Sequence, residues 1–341
     1  MSSRADRTDG GLSNGNDLQA PSRQGFRARL TDHVSVAVGT AEGLFLVSEG
    51  NTEGPYFSRR EVSAFLQMGV RCYAASANAG SDPVIYLSED RGVTWNLGEP
   101  VRVAFPDGSG RVITAVTQLQ IDHSVIAGPE AQPVMLAGAD PAALFRSVDG
   151  GATFEPLYDF CDGRHADAAS EEMAVLHSIL THAARPDRIL VGILGGGVFR
   201  SADGGRSWES LNDQLPAAGD YVNRIALDRH DPDVVWARTG AGTYRSDDVG
   251  TTWEPAKHSG PAAADPAVEG GLGWTELVES VPHAGAQFAV RTEAFAAGSA
   301  SPFPLSFGTQ AGEVFASLDG GITWRRIASH LPPVLCLRVL E

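Results

Sequence analysis

Apolar residues in this chain fall in short alternating runs, and five of these runs end in the same polar turn. VIYL, ALFR, GVFR, GTYR and EVFA each lead into an octad of the pattern Ser-x-Asp-x-Gly-x-Thr/Ser-Trp/Phe. The octads occupy residues 88–95, 147–154, 201–208, 246–253 and 317–324, with starts separated by 59, 54, 45 and 71 residues. An internal repeat fixes the architecture before any single element is considered. A strand-like run, a turn and a second run opening on Thr-Trp predict a β-hairpin whose bend is the octad. Glycine at the fifth position (Gly92, Gly151, Gly205, Gly250, Gly321) supplies the positive φ that a tight bend requires. The serine hydroxyl and the aspartate carboxylate are placed to accept from N–H groups of their own turn. The closing Trp or Phe packs beneath the loop as an apolar plug.

Four strands per repeat can be written around the octads. The clearest set covers residues 222–228, 234–240, 242–248 and 251–256, and the set before it reads VLHSILTH, RILVGIL, GVFRSAD and SWESL. VSVAVGT (34–40) and GLFLVSE (43–49) form two strands of a repeat whose octad has decayed, while VLCLRVL (334–340) is a strand with no repeat of its own.

The octad resembles the Asp-box, or BNR repeat, of sialidases, sortilin-type receptors, xyloglucan-active glycosidases and photosystem assembly factors. Over residues 31–341 the chain looks most like bacterial sialidase-like and glycosyl-hydrolase-like BNR proteins. The resemblance implies an all-β fold, a β-propeller in which each Asp-box turns between the third and fourth strands of a blade. Six blades of about 52 residues each account for the length, with the C-terminal strand completing the N-terminal blade and so removing exposed sheet edges. Seven blades is the alternative, with the extra one within residues 274–301.

Composition narrows the function classes. The 341 residues include 26 basic and 42 acidic ones, a net charge of −16, and Lys257 is the only lysine. This balance excludes nucleic acid as a default partner, because phosphates call for a basic footprint. It equally disfavours docking on an anionic membrane. No run of about 18 apolar residues is present to span a bilayer. Residues 1–30 are polar, lack the apolar core of a signal peptide and read as a disordered tail, which leaves 31–341 as one propeller domain in a cytoplasmic protein. The preference for Arg over Lys and the wealth of Ala and Gly suggest a bacterial source. Cys72, Cys161 and Cys336 form no CxxC pair and read as small buried hydrophobes.

The octad carboxylates (Asp90, Asp149, Asp203, Asp248, Asp319) are read as turn caps rather than as chemistry. Their turns lie on the face opposite the starts of the innermost strands, about 15 Å away along a five-residue strand. A ligand site is therefore expected at the channel mouth on the other face, built by the loops 51–61, 98–112, 157–174, 212–221, 257–283 and 329–333. Loop 157–174 is the most charged, with Cys161, Asp162, Arg164, His165, Asp167, Glu171 and Glu172. It is either a solvated insertion or the source of an acid/base or metal-binding His165–carboxylate pair. Histidine at the place of His177 on several blades is what the bacterial resemblance implies; Asn223 stands where a second would be, and Ala64 where a third would be. The sialidase Arg-Ile-Pro segment is absent: Arg224-Ile225-Ala226 is the nearest string, and VSVAVGT carries no arginine.

Two readings of function follow. In the first, the propeller binds a small molecule or a protein at its channel mouth, with Arg60, His165, Asn223 and Arg224 as ligand-binding residues. In the second, a glycosidase-like or other acid/base enzyme works in the mouth through Glu61, Glu172, His177 and Tyr221, two carboxyls standing about 5–5.5 Å or 6.5–9.5 Å apart according to stereochemistry. The sequence identifies no cofactor and no resident metal.

Overall fold

The computed structural model describes residues 34–78, 80–124, 132–161, 174–216, 222–228, 231–256, 294–298 and 304–340. They form six antiparallel four-stranded sheets, the blades of a β-propeller. Blade 1 combines β1 (Ser35–Thr40), β2 (Gly43–Ser48) and β3 (Asn51–Tyr56) with β24 (Val334–Val339), which is its innermost strand. Blade 2 comprises β4 (Glu61–Met68), β5 (Arg71–Ala77), β6 (Val84–Ser88) and β7 (Val101–Arg102). Blade 3 comprises β8 (Ala115–Ile121), β9 (Met135–Asp140), β10 (Leu144–Ser147) and β11 (Glu155–Pro156). Blade 4 comprises β12 (Val175–His182), β13 (Arg185–Leu194), β14 (Gly197–Ser201) and β15 (Glu209–Ser210). Blade 5 comprises β16 (Val222–Leu227), β17 (Val235–Thr239), β18 (Gly242–Ser246) and β19 (Glu254–Pro255). Blade 6 comprises β20 (Phe295–Ala297), β21 (Leu305–Gly308), β22 (Val314–Ser317) and β23 (Arg325–Ala328).

The ring closes as the sequence predicts: β24 pairs with β1 from Val36↔Val339 to Thr40↔Val334. Within residues 274–301 the described part contributes β20 to blade 6 rather than a seventh blade. The tail 1–30 lies outside the described residues. The described residues include the short helix Tyr158–Cys161 and the 3-10 turn Asn212–Gln214. No helix among them is long and apolar enough to cross a membrane.

The core lies between blades rather than within them. Buried side chains from facing sheets form one apolar layer each at the seams 1–2 (Leu46, Phe65), 2–3 (Tyr73, Phe145), 3–4 (Leu136, Ile179), 4–5 (Leu190, Ile225) and 6–1 (Val314, Val36). At the 5–6 seam the Arg224 guanidinium lies over the Phe295 ring, 5.2 Å from its centroid.

All five octads sit between the third and fourth strands and share one hydrogen-bond pattern. In the first, Ser88 Oγ donates to Asp90 Oδ1 at 2.8 Å and accepts from Gly92 N at 2.8 Å, while Thr94 donates its N–H to Oδ1 and its hydroxyl to Oδ2. The other four repeat it around Asp149, Asp203, Asp248 and Asp319. Donation from the Ser207 hydroxyl and N–H lowers the Asp203 carboxyl to about 2. Partial burial raises the pKa of the other four, yet the same hydrogen bonds outweigh it and leave each below its ordinary value. In blade 1 a two-residue turn at Glu49-Gly50 replaces the octad, with Ser48 paired to Asn51.

The fourth octad residue has a role that the repeat pattern does not announce. Like the fifth, it has positive φ: Arg91 61°, Gly150 76°, Gly204 71°, Val249 61° and Gly320 71°. This turns its carbonyl toward the preceding blade, which clasps it in three seams. Tyr73 Oη donates to Gly150 O at 3.0 Å, Arg146 Nη2 to Gly204 O at 2.7 Å, and Arg200 Nη1 to Val249 O at 2.9 Å. Arg146 is held in turn by the buried Asp122 at 2.7 Å.

Two strand boundaries depart from expectation. Residues 51–56, assigned to a loop, form the outer strand β3, whose mostly exposed polar residues and Pro55 suit a sheet edge and break the apolar alternation that marks strands elsewhere. The outer strand of blade 2 is displaced along the blade. β7 pairs with Val84 and Ile85, whereas β11, β15 and β19 pair with the two residues just before the octad serine.

Replacing the exposed Arg91, a non-glycine residue at φ 61°, by glycine is expected to stabilise the protein by about 0.5–1 kcal/mol. Gly151→Ala is expected to destabilise it by about 2 kcal/mol or more, because φ is +88° and the new methyl would lie 2.7 Å from Met135 Cε and 2.8 Å from Tyr73 Cε1. Urea unfolding midpoints moving in opposite directions would bear this out; two variants that unfold together would contradict it.

Candidate functional site

One feature of the inner strands shapes the channel. A β-bulge interrupts the pairing of five of them, at Ser63, Thr117, His177, Asn223 and Leu335. A bulge leaves one residue unpaired and re-aims its side chain. It also shifts the alternation, so that residues three apart share a seam: Val62 with Phe65, Val116 with Leu119, Leu176 with Ile179, Val222 with Ile225, and Val334 with Leu337. The blade 2 counterpart of His177 and Asn223 is therefore Ser63. Ala64, expected there from the sequence, is displaced by one residue and is buried in the 2–3 seam.

The bulges stitch successive blades together. Ser63 Oγ donates to Val116 O at 2.7 Å, and Thr117 Oγ1 donates to Leu176 O. Each acceptor is the carbonyl just before the bulge of the next blade. Leu335 has no donor, and the neighbouring Cys336 thiol reaches Val62 O at 3.6 Å instead. Space for this approach comes from small residues on the second strands: a Cβ on Gly39 would stand 2.5 Å from Val62 O, and one on Gly192 2.8 Å from His177 Cε1.

On the face where the inner strands start, opposite the octads, opens a cavity of about 870 Å³. Blade 2 contributes Glu61, Ser63 and the segment from Ala77 to Asp82 excluding residue 79; blade 3 contributes Ala115, Thr117 and Asp140 with the preceding Val112, Ile113 and Thr114; Val175 and Leu335 complete the wall from blades 4 and 1. A second cavity, of about 690 Å³, lies between blades 2 and 3 beside the second octad, where the displaced β7 leaves Leu87 uncovered. Its arginines are engaged: Arg71 with Gln132 and Glu89, Arg102 with Asp82 and Asp107.

The residues singled out from sequence are placed as follows. Glu61 lines the first cavity, half-buried, with no ion-pair or hydrogen-bond partner among the described residues. Arg60 stands at its edge, donating to the Asn78 side-chain oxygen at 3.0 Å and lying 6.0 Å from the Tyr86 ring centroid. Asn223 is exposed on β16, and Arg224 is drawn to Phe295. His165, Glu172 and Tyr221 lie outside the described residues. Among the described residues no group of three His, Cys, Asp or Glu side chains is arranged to hold a metal ion. Cavity residues not singled out from sequence include Ser63, Thr117, Asn78, Ser81, Thr114 and Asp140; the apolar-x-x-apolar spacing of the inner strands is the signal that marks the first two of them.

His177 points into the 4–5 seam. It is 6% exposed, its Nδ1 lies 2.8 Å from Ser178 Oγ, and no aligned hydrogen bond forms at Nε2, although the ring faces the Val222 backbone. Burial pushes its pKa down to about 4, the Arg224 charge adds to this, and the Val222 and His177 backbone opposes it. Burial likewise lifts the Cys72 thiol to about 12, so it stays protonated.

A histidine with a depressed pKa is neutral in the fold but takes up a proton in the unfolded chain, so stability rises with pH wherever only the unfolded chain is protonated. For His177 that window runs from about 4 to its ordinary 6.5. Its contribution is complete above 6.5 and lost at roughly 1.4 kcal/mol per pH unit as pH falls toward 4. His177→Asn, which introduces the residue blade 5 carries at the same bulge, is expected to flatten the urea midpoint between pH 6.5 and 4.5 relative to the parent. Parallel pH profiles for the two proteins would refute this.

No family model and no curated protein matches the chain. Among solved structures it is similar to a GH74 xyloglucanase from Xanthomonas campestris at 16% identity and a TM-score of 0.46, over 86% of this chain and 43% of that one. The chain thus spans less than half the length of the xyloglucanase. It is also similar to YCF48 from Cyanidioschyzon merolae, at 15% identity and a TM-score of 0.45 over 79% of this chain and 86% of that one. A structure of YCF48 bound to D1 peptide gives 15% identity and a TM-score of 0.44, over 87% and 78% of the respective chains. At these identities no residue role passes from those proteins to this one.

Proposed function

We propose that this protein is an Asp-box propeller that binds a small ligand in the axial cavity on the face opposite its octads. The observation carrying this reading is the cavity itself. Its volume of about 870 Å³ falls within the roughly 300–1,000 Å³ usual for ligand sites, and rigid inner strands from four blades build its wall. The cavity between blades 2 and 3 is a weaker choice, because its arginines are already paired to neighbouring side chains. Arg60 flanks the mouth in this reading, with Asn223 and Arg224 further round the ring, and His165 is proposed as a further ligand-binding residue.

A second reading, acid/base catalysis, is favoured by one observation: Glu61 faces the cavity without a partner among the described residues. Glu172 or Tyr221 would supply its counterpart, and hydrolysis of aryl glycosides that vanishes in Glu61→Gln would establish it.

Binding is tested by thermal-shift screening of the full chain against neutral, cationic and anionic metabolites, in parallel with Val175→Trp, which fills the cavity from its half-exposed wall. A true ligand raises the melting temperature through mass action. The expected result is a hit that stabilises the parent and not the variant. Hits that stabilise both proteins equally, or no hit in any class, would overturn the reading.

A further inference from the structure

The hydrogen-bonding character of the cavity wall selects among ligands, and this inference rests on the cavity being the binding site. Four hydroxyls line it, and each has its proton committed to a backbone carbonyl: Ser63 to Val116, Thr117 to Leu176, Thr114 to Asp140 at 3.0 Å and Ser81 to Asn78 at 3.1 Å. The Asn78 amide nitrogen donates to Ala77 O at 3.1 Å. No lysine, arginine, histidine, tyrosine or tryptophan lines the cavity among the described residues. The lining is apolar at Val112, Ile113, Val175 and Leu335, and its polar side chains are chiefly acceptors: the Ser63 and Thr117 hydroxyl oxygens and above all the Glu61 carboxylate, which has no partner among the described residues.

A half-buried carboxylate with no donor among the described residues is best satisfied by a group rich in N–H. A sugar hydroxyl brings two lone pairs with its one proton, and among the described lining residues the second Asn78 amide proton is the one side-chain donor left for them. An anion would meet the Glu61 carboxylate. Ammonium and guanidinium groups carry three and five donors and no acceptor, which matches the wall. The net charge of −16 also raises the local concentration of cations. We infer that the axial cavity takes a ligand bearing an ammonium or guanidinium group, seated against Glu61 and the Ser63 and Thr117 hydroxyl oxygens.

Calorimetric titration of the full chain with agmatine, spermidine and the capped peptide acetyl-Gly-Arg-Gly-amide, beside sorbitol and citrate, tests this. The cations are expected to bind, more weakly at high salt, and sorbitol and citrate are not. Binding by agmatine or spermidine alone points to a free amine, and binding by the peptide alone to an arginine side chain. Glu61→Gln, isosteric and therefore folded, is expected to weaken the cation about ten- to a hundredfold, the usual weight of a charge-assisted hydrogen bond. The inference is overturned if sorbitol or citrate binds as well as agmatine, or if Glu61→Gln binds the cations within about twofold of the parent. In that event, loss of the observed binding in Val175→Trp keeps the cavity as the site and removes only its preference for cations. Binding that survives Val175→Trp, or no binding by any probe, takes the cavity reading down as well.

Discussion

The contact between one blade's side chain and the carbonyl just before the bulge of the next inner strand is the constraint on which the arrangement of blades turns. Backbone acceptors buried beside a channel must be satisfied, and the preceding blade does this with a side chain: Ser63 for Val116, Thr117 for Leu176, Cys336 for Val62. Each bond fixes both the distance and the axial offset of two neighbouring sheets. The second strands yield accordingly, with Gly39, Gly138 and Gly192 where a Cβ would strike the adjoining blade or the inner strand. At the 4–5 seam a histidine holds the donor's place and fits it poorly, which is why its ring is both buried and without an aligned partner at Nε2.

The two faces of the ring thus divide the work. On one, the octads bind their own turns through serine and aspartate and offer a fourth-position carbonyl to Tyr73, Arg146 or Arg200 of the blade before. On the other, the stitching between inner strands uses up the hydroxyl protons of Ser63 and Thr117 and turns their lone pairs toward the cavity. The polarity of the cavity wall is therefore a by-product of how the blades are joined. The Glu61 carboxylate adds negative charge to that wall.

Much of this was legible in the chain. The octads disclose the hairpins, the position of their turns and the blade count, because a local knot of Ser, Asp, Gly and an aromatic ring needs no tertiary context to form. β24 closes blade 1 where VLCLRVL was left over. The rest was hidden for physical reasons. Residues 51–56 form a strand at an exposed edge, where nothing rewards apolar alternation. Ala64 was matched to His177 in place of Ser63 because a bulge adds a residue that strict alternation does not count. With the bulges in view, VSAF, VTQL, LHSI, VNRI and VLCL show the same apolar spacing of three, a sign in the sequence that marks the channel wall. Glu61 was found because it opens an inner strand; Thr114 and Asp140 were missed because hydroxyl-to-carbonyl contacts between distant segments leave no local trace.

The strand that completes blade 1 also carries Leu335, one wall of the cavity. Its partner, β1, lies near the other end of the described chain, with residue 36 meeting residue 339. Such long-range pairing is the slowest kind of contact for a chain to find. Partly folded forms in which blades 2 to 6 have stacked but this last contact is open have a gap where the cavity should be walled. The pocket is thus a property of the finished circle and not of any arc of it.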